Sequence, residues 1–535
     1  MKFKKHKKFF KPMNNIPRDH YHDPSNTNTE DMSDFQQNSI VDWIQKKIGG
    51  SSDVVFRTVT SSSETYTSKV TIIYIEGLVD QQLLSKMLDV LSNTETSLRN
   101  ALDPVTWLST HLPVGSLQST DTNKLLKAIL DGHAAIIVDD KSAAFTAAIA
   151  GGARRSIEEP TSQTVLRGPK EGFTEDISTN MALLRRIIRT PELQFDSLAI
   201  GEYTQTKVSV AFIKGIADPN VVKEVKKRLE SINTDSILES GYIEEFIQDG
   251  VFTPFPTIMN TERPDAVAGG LLEGLVAIIV DGTPFVLLAP VSFFGFFISS
   301  EDYYQRYDIA TFLRIIRFTS FFVALLLPSV FIAVTTFQQE MLPTPLLISL
   351  AAQRENTPLP AVVEALLMEL TFEVIREAGV RMPRAIGPAI SIVGALVLGQ
   401  SAVQAGLVSA AMVIVVSFTA ISNFVLPAIN MAAAVRLLRF ALMLLAGSLG
   451  LFGILAGLVP ILVHLASLQT FGVPYLQPAA PFKSSNMKDF VFRFPWWSMR
   501  TRPAMIGDIN RIRQGPKQKP NSLLTSDERN DHSDN

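Results

Sequence analysis

Phe318-Thr-Ser-Phe-Phe-Val-Ala-Leu-Leu-Leu-Pro-Ser-Val-Phe-Ile-Ala-Val-Thr-Thr-Phe337 is 20 residues long, carries no charge and follows directly on Arg317. At 1.5 Å of rise per residue, about 20 apolar residues cross a hydrocarbon layer of roughly 30 Å. Three more such runs follow: Ile386–Ala405 with 20 residues, Leu407–Ile429 with 23 and Phe440–Ala466 with 27. A soluble core has no use for four of them in one third of a chain. The pattern predicts an integral membrane protein, with an aqueous N-terminal region followed by an α-helical transmembrane bundle over residues 291–485.

The 535-residue chain has room for several domains. Its net charge of −3 offers no global attraction for nucleic acid, and no nucleic-acid partner is expected. Cysteine is absent, which excludes a thiol nucleophile, a disulfide framework and thiolate metal sites, and fits a domain facing a reducing cytosol. The seven histidines are scattered, with no paired metal-ligand spacing. His464, inside the last apolar run, reads as a side chain packed on another helix. With no nucleophile–base or metal constellation, neither an enzyme nor a cofactor is expected.

The basic stretch Met1–Lys11 lacks the apolar segment of a secretory signal. It reads either as a cytoplasmic tail attracted to anionic headgroups or as a solvated tail. Residues 1–38 are polar and expected to be disordered, and residues 486–535 read as a polar C-terminal tail.

The aqueous half repeats itself. Leu130-Asp-Gly-His-Ala-Ala-Ile-Ile-Val-Asp-Asp140 and Leu272-Glu-Gly-Leu-Val-Ala-Ile-Ile-Val-Asp-Gly282 match at a constant offset of 142 positions. Each begins with an apolar helical stretch stopped by an acidic residue and Gly. Each continues as a short Ile/Val strand, an Asp-containing turn and a second apolar strand. Two related α/β subdomains are therefore predicted, at 40–155 and 175–290, joined by a loop at 156–174. Pro284–Ile298 is too short to cross once its first half is a strand, so Phe293-Phe-Gly-Phe-Phe297 is predicted to be a membrane-interface segment. Around the connecting loop, Arg154, Arg155, Glu158, Glu159, Arg167 and Lys170 are candidates for a coupling surface that transmits a domain movement. A salt-bridged linker is the alternative.

Leu359–Gly379 carries Glu364, Glu369, Glu373 and Glu377 on an otherwise apolar helix. At about 100° per residue, Glu369, Glu373 and Glu377 share one stripe, which Val362 and Leu366 extend toward the N-terminus. Glu364 lies opposite. Around an oligomer axis this stripe makes Val/Leu rings able to gate and Glu rings able to favour cations. An interfacial helix with a solvated Glu face, Arg376 pairing Glu373 or Glu377, is the other reading. Ala446, Gly450, Gly453 and Gly457 form a small-residue stripe suited to close helix contact. Arg314 and Arg317 put the aqueous domain inside, whereas Arg381, Arg384, Arg436 and Arg439 disagree with a simple four-span topology. The crossing number stays at four to six.

Glu159-Pro160, Val165-Leu-Arg-Gly-Pro-Lys-Glu-Gly-Phe173, Arg263-Pro-Asp-Ala-Val-Ala-Gly-Gly-Leu-Leu-Glu273, Val280-Asp-Gly-Thr-Pro-Phe285, Ser299-Ser-Glu-Asp-Tyr-Tyr304 and Glu373-Val-Ile-Arg-Glu-Ala-Gly379 occur in this order. With them the chain resembles the A subunits of spore germinant receptors, the GerA family, over residues 40–485. Leu166 and Leu275 are more apolar than the resemblance leads one to expect. The resemblance implies a multi-pass subunit of a complex in the inner spore membrane, its N-terminal domain cytosolic. It implies as partners a transporter-like B subunit that binds nutrient, a lipoprotein C subunit on the membrane surface, and membrane lipids. It also implies that the A subunit homo-oligomerises into a nutrient-gated channel for monovalent cations, which favours Val362, Leu366, Glu369 and Glu373 as the ion pathway. A non-conducting scaffold or signal relay is the alternative function.

Overall fold

The computed structural model describes residues 40–519 except 64–65, 94–109, 114–116, 120–121, 139–142, 152–159, 161–162, 164, 356, 383–396, 483–486, 503–509 and 517. The first layer runs α1 (Ile40–Ile48), β1 (Val54–Ser63), β2 (Tyr66–Ile75), α2 (Gln81–Asn93), β3 (Leu117–Ser119), α3 (Thr122–Leu130), β4 (Ala134–Val138) and β5 (Ala143–Ala147). The second runs α4 (Ile177–Ile187), β6 (Leu193–Ile200), β7 (Thr206–Ile213), α5 (Pro219–Glu230), α6 (Ser240–Ile247), β8 (Met259–Thr261), α7 (Pro264–Glu273), β9 (Val276–Val280) and β10 (Val286–Ala289).

The two sheets have the same order, β1-β2-β4-β5-β3 and β6-β7-β9-β10-β8, with every neighbour antiparallel. β4 and β9 sit at the same central position, and all five residues of each are buried. Alternation along a strand sends successive side chains to opposite faces. Ile136 and Val138 meet α2, while Ala135 and Ile137 meet α1 and α3. In the second sheet Ile278 and Val280 meet α5 and α6, while Ala277 and Ile279 meet α4 and α7. That double coverage is why the strands read as continuous apolar runs. Gly132 and Gly274 end the equivalent helices at φ of 89° and 98°, a left-handed cap open to a residue without Cβ.

The joint between the layers is ionic. Arg185 of α4 donates from Nε and Nη2 to the two carboxylate oxygens of Asp53 at 2.7 and 2.9 Å, with both side chains 1% exposed. Ser51 accepts from Arg185 Nη2 and from the Phe195 amide, so the second sheet joins the same cluster. Arg185 stands among basic residues in the sequence; burial beside Asp53 makes it an internal strut.

The helical part comprises α8 (Tyr307–Thr336), α9 (Thr344–Arg354), α10 (Ala361–Arg381), α11 (Ala410–Phe424) and α12 (Ile429–Ser467). Among the described residues, α8 and α12 are long and apolar enough to cross a membrane, and α11 is a shorter apolar helix. The expected span at 386–405 falls partly outside the described residues. Phe440–Ala466 is not one continuous span. Gly450 adopts φ 64° and ψ −143° and divides α12 into two helices. A methyl on Gly457 would meet Leu442 and Leu445, and one on Gly453 would collide with the Leu445 carbonyl, so the second half folds back along the first. At the bend the Leu451 amide donates to Gln338 just beyond α8.

Two other expectations change. Phe293, Phe296 and Phe297 are buried inside protein, not at an interface. Their short 3-10 turn packs edge-on against Phe321 of α8 and against Tyr475, because aromatic edges and faces attract. Nor is the chain beyond 486 merely a polar tail. Asp489 accepts from Arg314 at 2.8 Å, Arg513 reaches Glu273 at 2.6 Å, and Arg502 donates to the Leu272 carbonyl. Charges that read as solvated are counter-charges for groups on α7 and α8.

Candidate functional site

Ala, Leu, Met and Glu make α10 a strong helix former, and the segment is helical from Ala361 to Arg381. Its acidic residues are placed by the helices around it. Glu364 is fully buried and accepts from both the amide and the hydroxyl of Ser409. Ser409 caps α11, so the carboxylate sits where the helix N-terminus is electropositive.

Glu369 and Glu373 face α12. Glu369 lies 2.9 Å from Nη2 of Arg439, both side chains 1% exposed. Glu373 lies 2.9 Å from Arg436 and from Arg376, and 3.7 Å from Arg439. Further toward the N-terminus, Val362 fills a notch left by Gly447, where an added methyl would be 2.6 Å from its Cγ2. As α10 advances, its partners on α12 recede, so the two pack antiparallel. The exposed pair Glu377–Arg381 stands outside this seam and contributes little.

The stripe expected to line an ion path in an oligomer is covered in the single chain. Within one chain Val362, Leu366, Glu369 and Glu373 turn toward α12, and the outward face carries Val363, Leu367, Leu370 and Val374. The reason is counter-charge: three guanidinium groups meet two carboxylates, and a buried carboxylate is held where a cation pairs with it. Among the described residues, Glu369 Oε1, Glu373 Oε1 and Arg439 Nε and Nη1 have no protein hydrogen-bond partner. Buried polar atoms left without a partner are costly, so the seam carries unmet hydrogen-bonding capacity inside the helical part. Arg436 and Arg439, which conflicted with the four-span topology, are its internal partners.

A second charged group fixes the turn before α8 and the C-terminal chain to α8. Asp302 accepts from Arg314 at 2.9 Å and from Arg317 at 2.7 Å, with no exposed side-chain surface of its own. Tyr303 donates to Asp489, and burial together with that carboxylate raises its hydroxyl well above the ordinary tyrosine range. Arg314 and Arg317 read in sequence as topology markers; Asp302 carried no signal beyond its place in Ser299–Tyr304.

Of the coupling-loop candidates, Arg154, Arg155, Glu158 and Glu159 lie outside the described residues. Arg167 and Lys170 are exposed on a loop held from below. Arg263 donates to the carbonyls of Gln163 and Pro169 and pairs with Asp265, and Tyr304 donates to the same carboxylate at 2.6 Å. Arg263, Asp265 and Tyr304 thus tie the loop to α7 and to the approach to α8. The sequence held only their segments, not this contact.

Residues 42–505 match the family described as Bacillus/Clostridium GerA spore germination protein. Spore germination protein KA of Bacillus subtilis is 49% identical over 478 residues, covering 89% of this chain and 88% of that one. The uncharacterized membrane protein YfkQ of the same organism is 43% identical, covering 89% and 93%. The crystal structure of the N-terminal domain of the A subunit of the Bacillus megaterium spore germinant receptor GerK3 matches at 40% identity and a TM-score of 0.36, covering 47% of this chain and 94% of that one.

Proposed function

The chain belongs to the GerA family of spore germination proteins, and we propose that it is the A subunit of a nutrient-responsive germinant receptor whose copies assemble into a cation channel. In this reading it is a multi-pass protein of the inner spore membrane, with its N-terminal layers in the cytosol. It works beside a transporter-like B subunit and a lipoprotein C subunit, and catalyses no reaction. The observation that supports conduction is the seam of Glu369 and Glu373 inside an apolar bundle. Charge at that depth is costly and usually serves an ion path. With Arg439 on Glu369 and Val362 seated on Gly447 the path is closed; separation of α10 from α12 exposes the carboxylates to passing monovalent cations.

A second reading, a relay that does not conduct, is favoured by the excess of guanidinium over carboxylate along the seam. Ion release from liposomes holding the receptor, with and without nutrient at matched protein levels, separates the two. Val362→Ala is expected to leak without nutrient, because a smaller residue loosens and wets the constriction. Glu373→Gln is expected to lower cation flux. Glu369→Gln strands Arg439, which costs about 3–5 kcal/mol, so Glu373 is the cleaner probe. If Val362→Ala stays closed and Glu373→Gln conducts normally, the ion path does not run along α10; if nutrient releases no ions from liposomes holding the unaltered receptor, the relay reading stands.

A further inference from the structure

We propose that the turn Gly250–Thr253 is a membrane-contacting tip, with Val251 and Phe252 in the boundary between lipid headgroups and acyl chains. Val251 is 75% and Phe252 98% exposed, although they are consecutive apolar residues lying between the buried Ile247 and Phe255. The turn is rigid. Gly250 takes φ 80°, and the Thr253 amide donates back to its carbonyl. Both flanks are anchored to the end of the α12 hairpin. Thr253 Oγ1 is 2.8 Å from Nε2 of His464, the ring of Phe255 stacks on the His464 ring, and Gly250 lies against Leu468. Asp249 accepts from the Phe471 amide and pairs with Arg228. The charge of Asp249 is therefore already committed.

The second half of the hairpin presents Leu455, Val459, Leu462 and Val463 outward, each 59–64% exposed. The same half of the hairpin ends at His464 and Leu468, the residues that grip Thr253 and Gly250, so the tip stands at the end of the helix that carries this apolar face. Two side chains are too small to found a protein–protein interface, which needs about 1,000 Å². They are enough to seat an amphiphilic edge at a bilayer boundary, where aromatic rings concentrate. The tip would brace the second sheet against the membrane next to the hairpin it grips. The inference rests on the reading that the α12 hairpin lies in the bilayer.

The chain has no cysteine, so single-cysteine labelling is direct. Nitroxide labels are introduced by Phe252→Cys, by Leu462→Cys as the lipid reference and by Tyr203→Cys, 80% exposed, as the water reference. The full chain is reconstituted in phosphatidylcholine–phosphatidylglycerol vesicles, and collision with oxygen is compared with collision with a water-soluble nickel chelate. The expected oxygen-to-nickel ratio at position 252 is shifted from the Tyr203 value toward the Leu462 value. A ratio equal to that at Tyr203, with Leu462 in lipid, overturns the inference. Exclusion of both reagents with spin–spin broadening also overturns it, because a second copy then covers the tip. A water-like ratio at Leu462 itself removes the membrane reading and the inference with it.

Discussion

Glu369 and Glu244 are carboxylates on helices, and their surroundings give them different roles. Glu369 is held by Arg439 inside the bundle. Glu244, on α6, lies at the foot of the helical part, where Asn430 donates to it at 3.3 Å. Burial, with repulsion from Glu239, pushes its carboxyl up to about 7, against the opposing hydrogen bonds from Asn430 and Asn260. Burial would raise Glu239 as well, but hydrogen bonds from Ser240, Gly241 and Thr283 outweigh it and hold that group low. A raised carboxyl means that the folded chain binds the proton more tightly than the unfolded chain. The stability from Glu244 is therefore complete below the ordinary 4.5 and is lost as pH rises through about 7. Glu244→Gln is expected to flatten this part of the dependence of thermal stability on pH in detergent, between roughly pH 5 and 8. An unchanged slope would place the titration elsewhere. The alternation of Glu with apolar residues was readable along α10, but solvation was not. Arg436 and Arg439 are some 60 to 70 positions away, so only packing could pair them.

At the scale of elements, the small-residue stripe of α12 has two uses. Gly453 and Gly457 permit close helix contact, as the spacing suggests, but the contact is with the first half of their own hairpin. Gly450 provides the reversal. Its φ of 64° with ψ of −143° is a conformation that side-chain-bearing residues avoid, and an added methyl would lie 2.8–2.9 Å from Gln338 and Phe337. Gly450→Ala is expected to destabilise the helical part by about 1–3 kcal/mol, read as a lower midpoint in denaturant unfolding in detergent. Gly447→Ala is the contrasting control, because it presses on the Val362 side chain and leaves the bend intact. Equal effects would show that crowding, not the bend, sets the cost. Periodicity could not separate a through-going helix from a hairpin, since both bury the same small residues.

Across the whole molecule one apolar core joins the second sheet to the helices. It runs from Phe195, Ile279 and Leu288 through Phe293 and Phe297 to Phe321, Met431 and Leu465. The boundary expected at 290–291 is therefore a change of element, not a gap in packing. The first sheet has its own cores and meets the second through Asp53 and Arg185, with Ala182 of α4 contributing to its inner face. Asp53→Ala leaves Arg185 buried and unpaired, a loss of about 3–5 kcal/mol. Calorimetry of the full chain is expected to show a separate, earlier transition for residues 40–150 in this variant, with the main transition held. One transition at the wild-type temperature would mean that the pair does not couple the layers.

The hydropathy runs, the repeat at an offset of 142 positions and the acidic helix were all legible along the chain, because each depends on neighbours within a few turns or strands. Those features carried the mixed α/β half, the apolar helical half and the resemblance to a family. The reversal at Gly450, the burial of Phe293–Phe297 and the pairing of α10 with α12 depended on contacts between distant segments. So did the return of Asp489 and Arg513 to the base of α8 and to α7. A charge or an aromatic ring has the same local pattern whether it meets water, lipid or a partner, and only the folded chain brings up the group that decides.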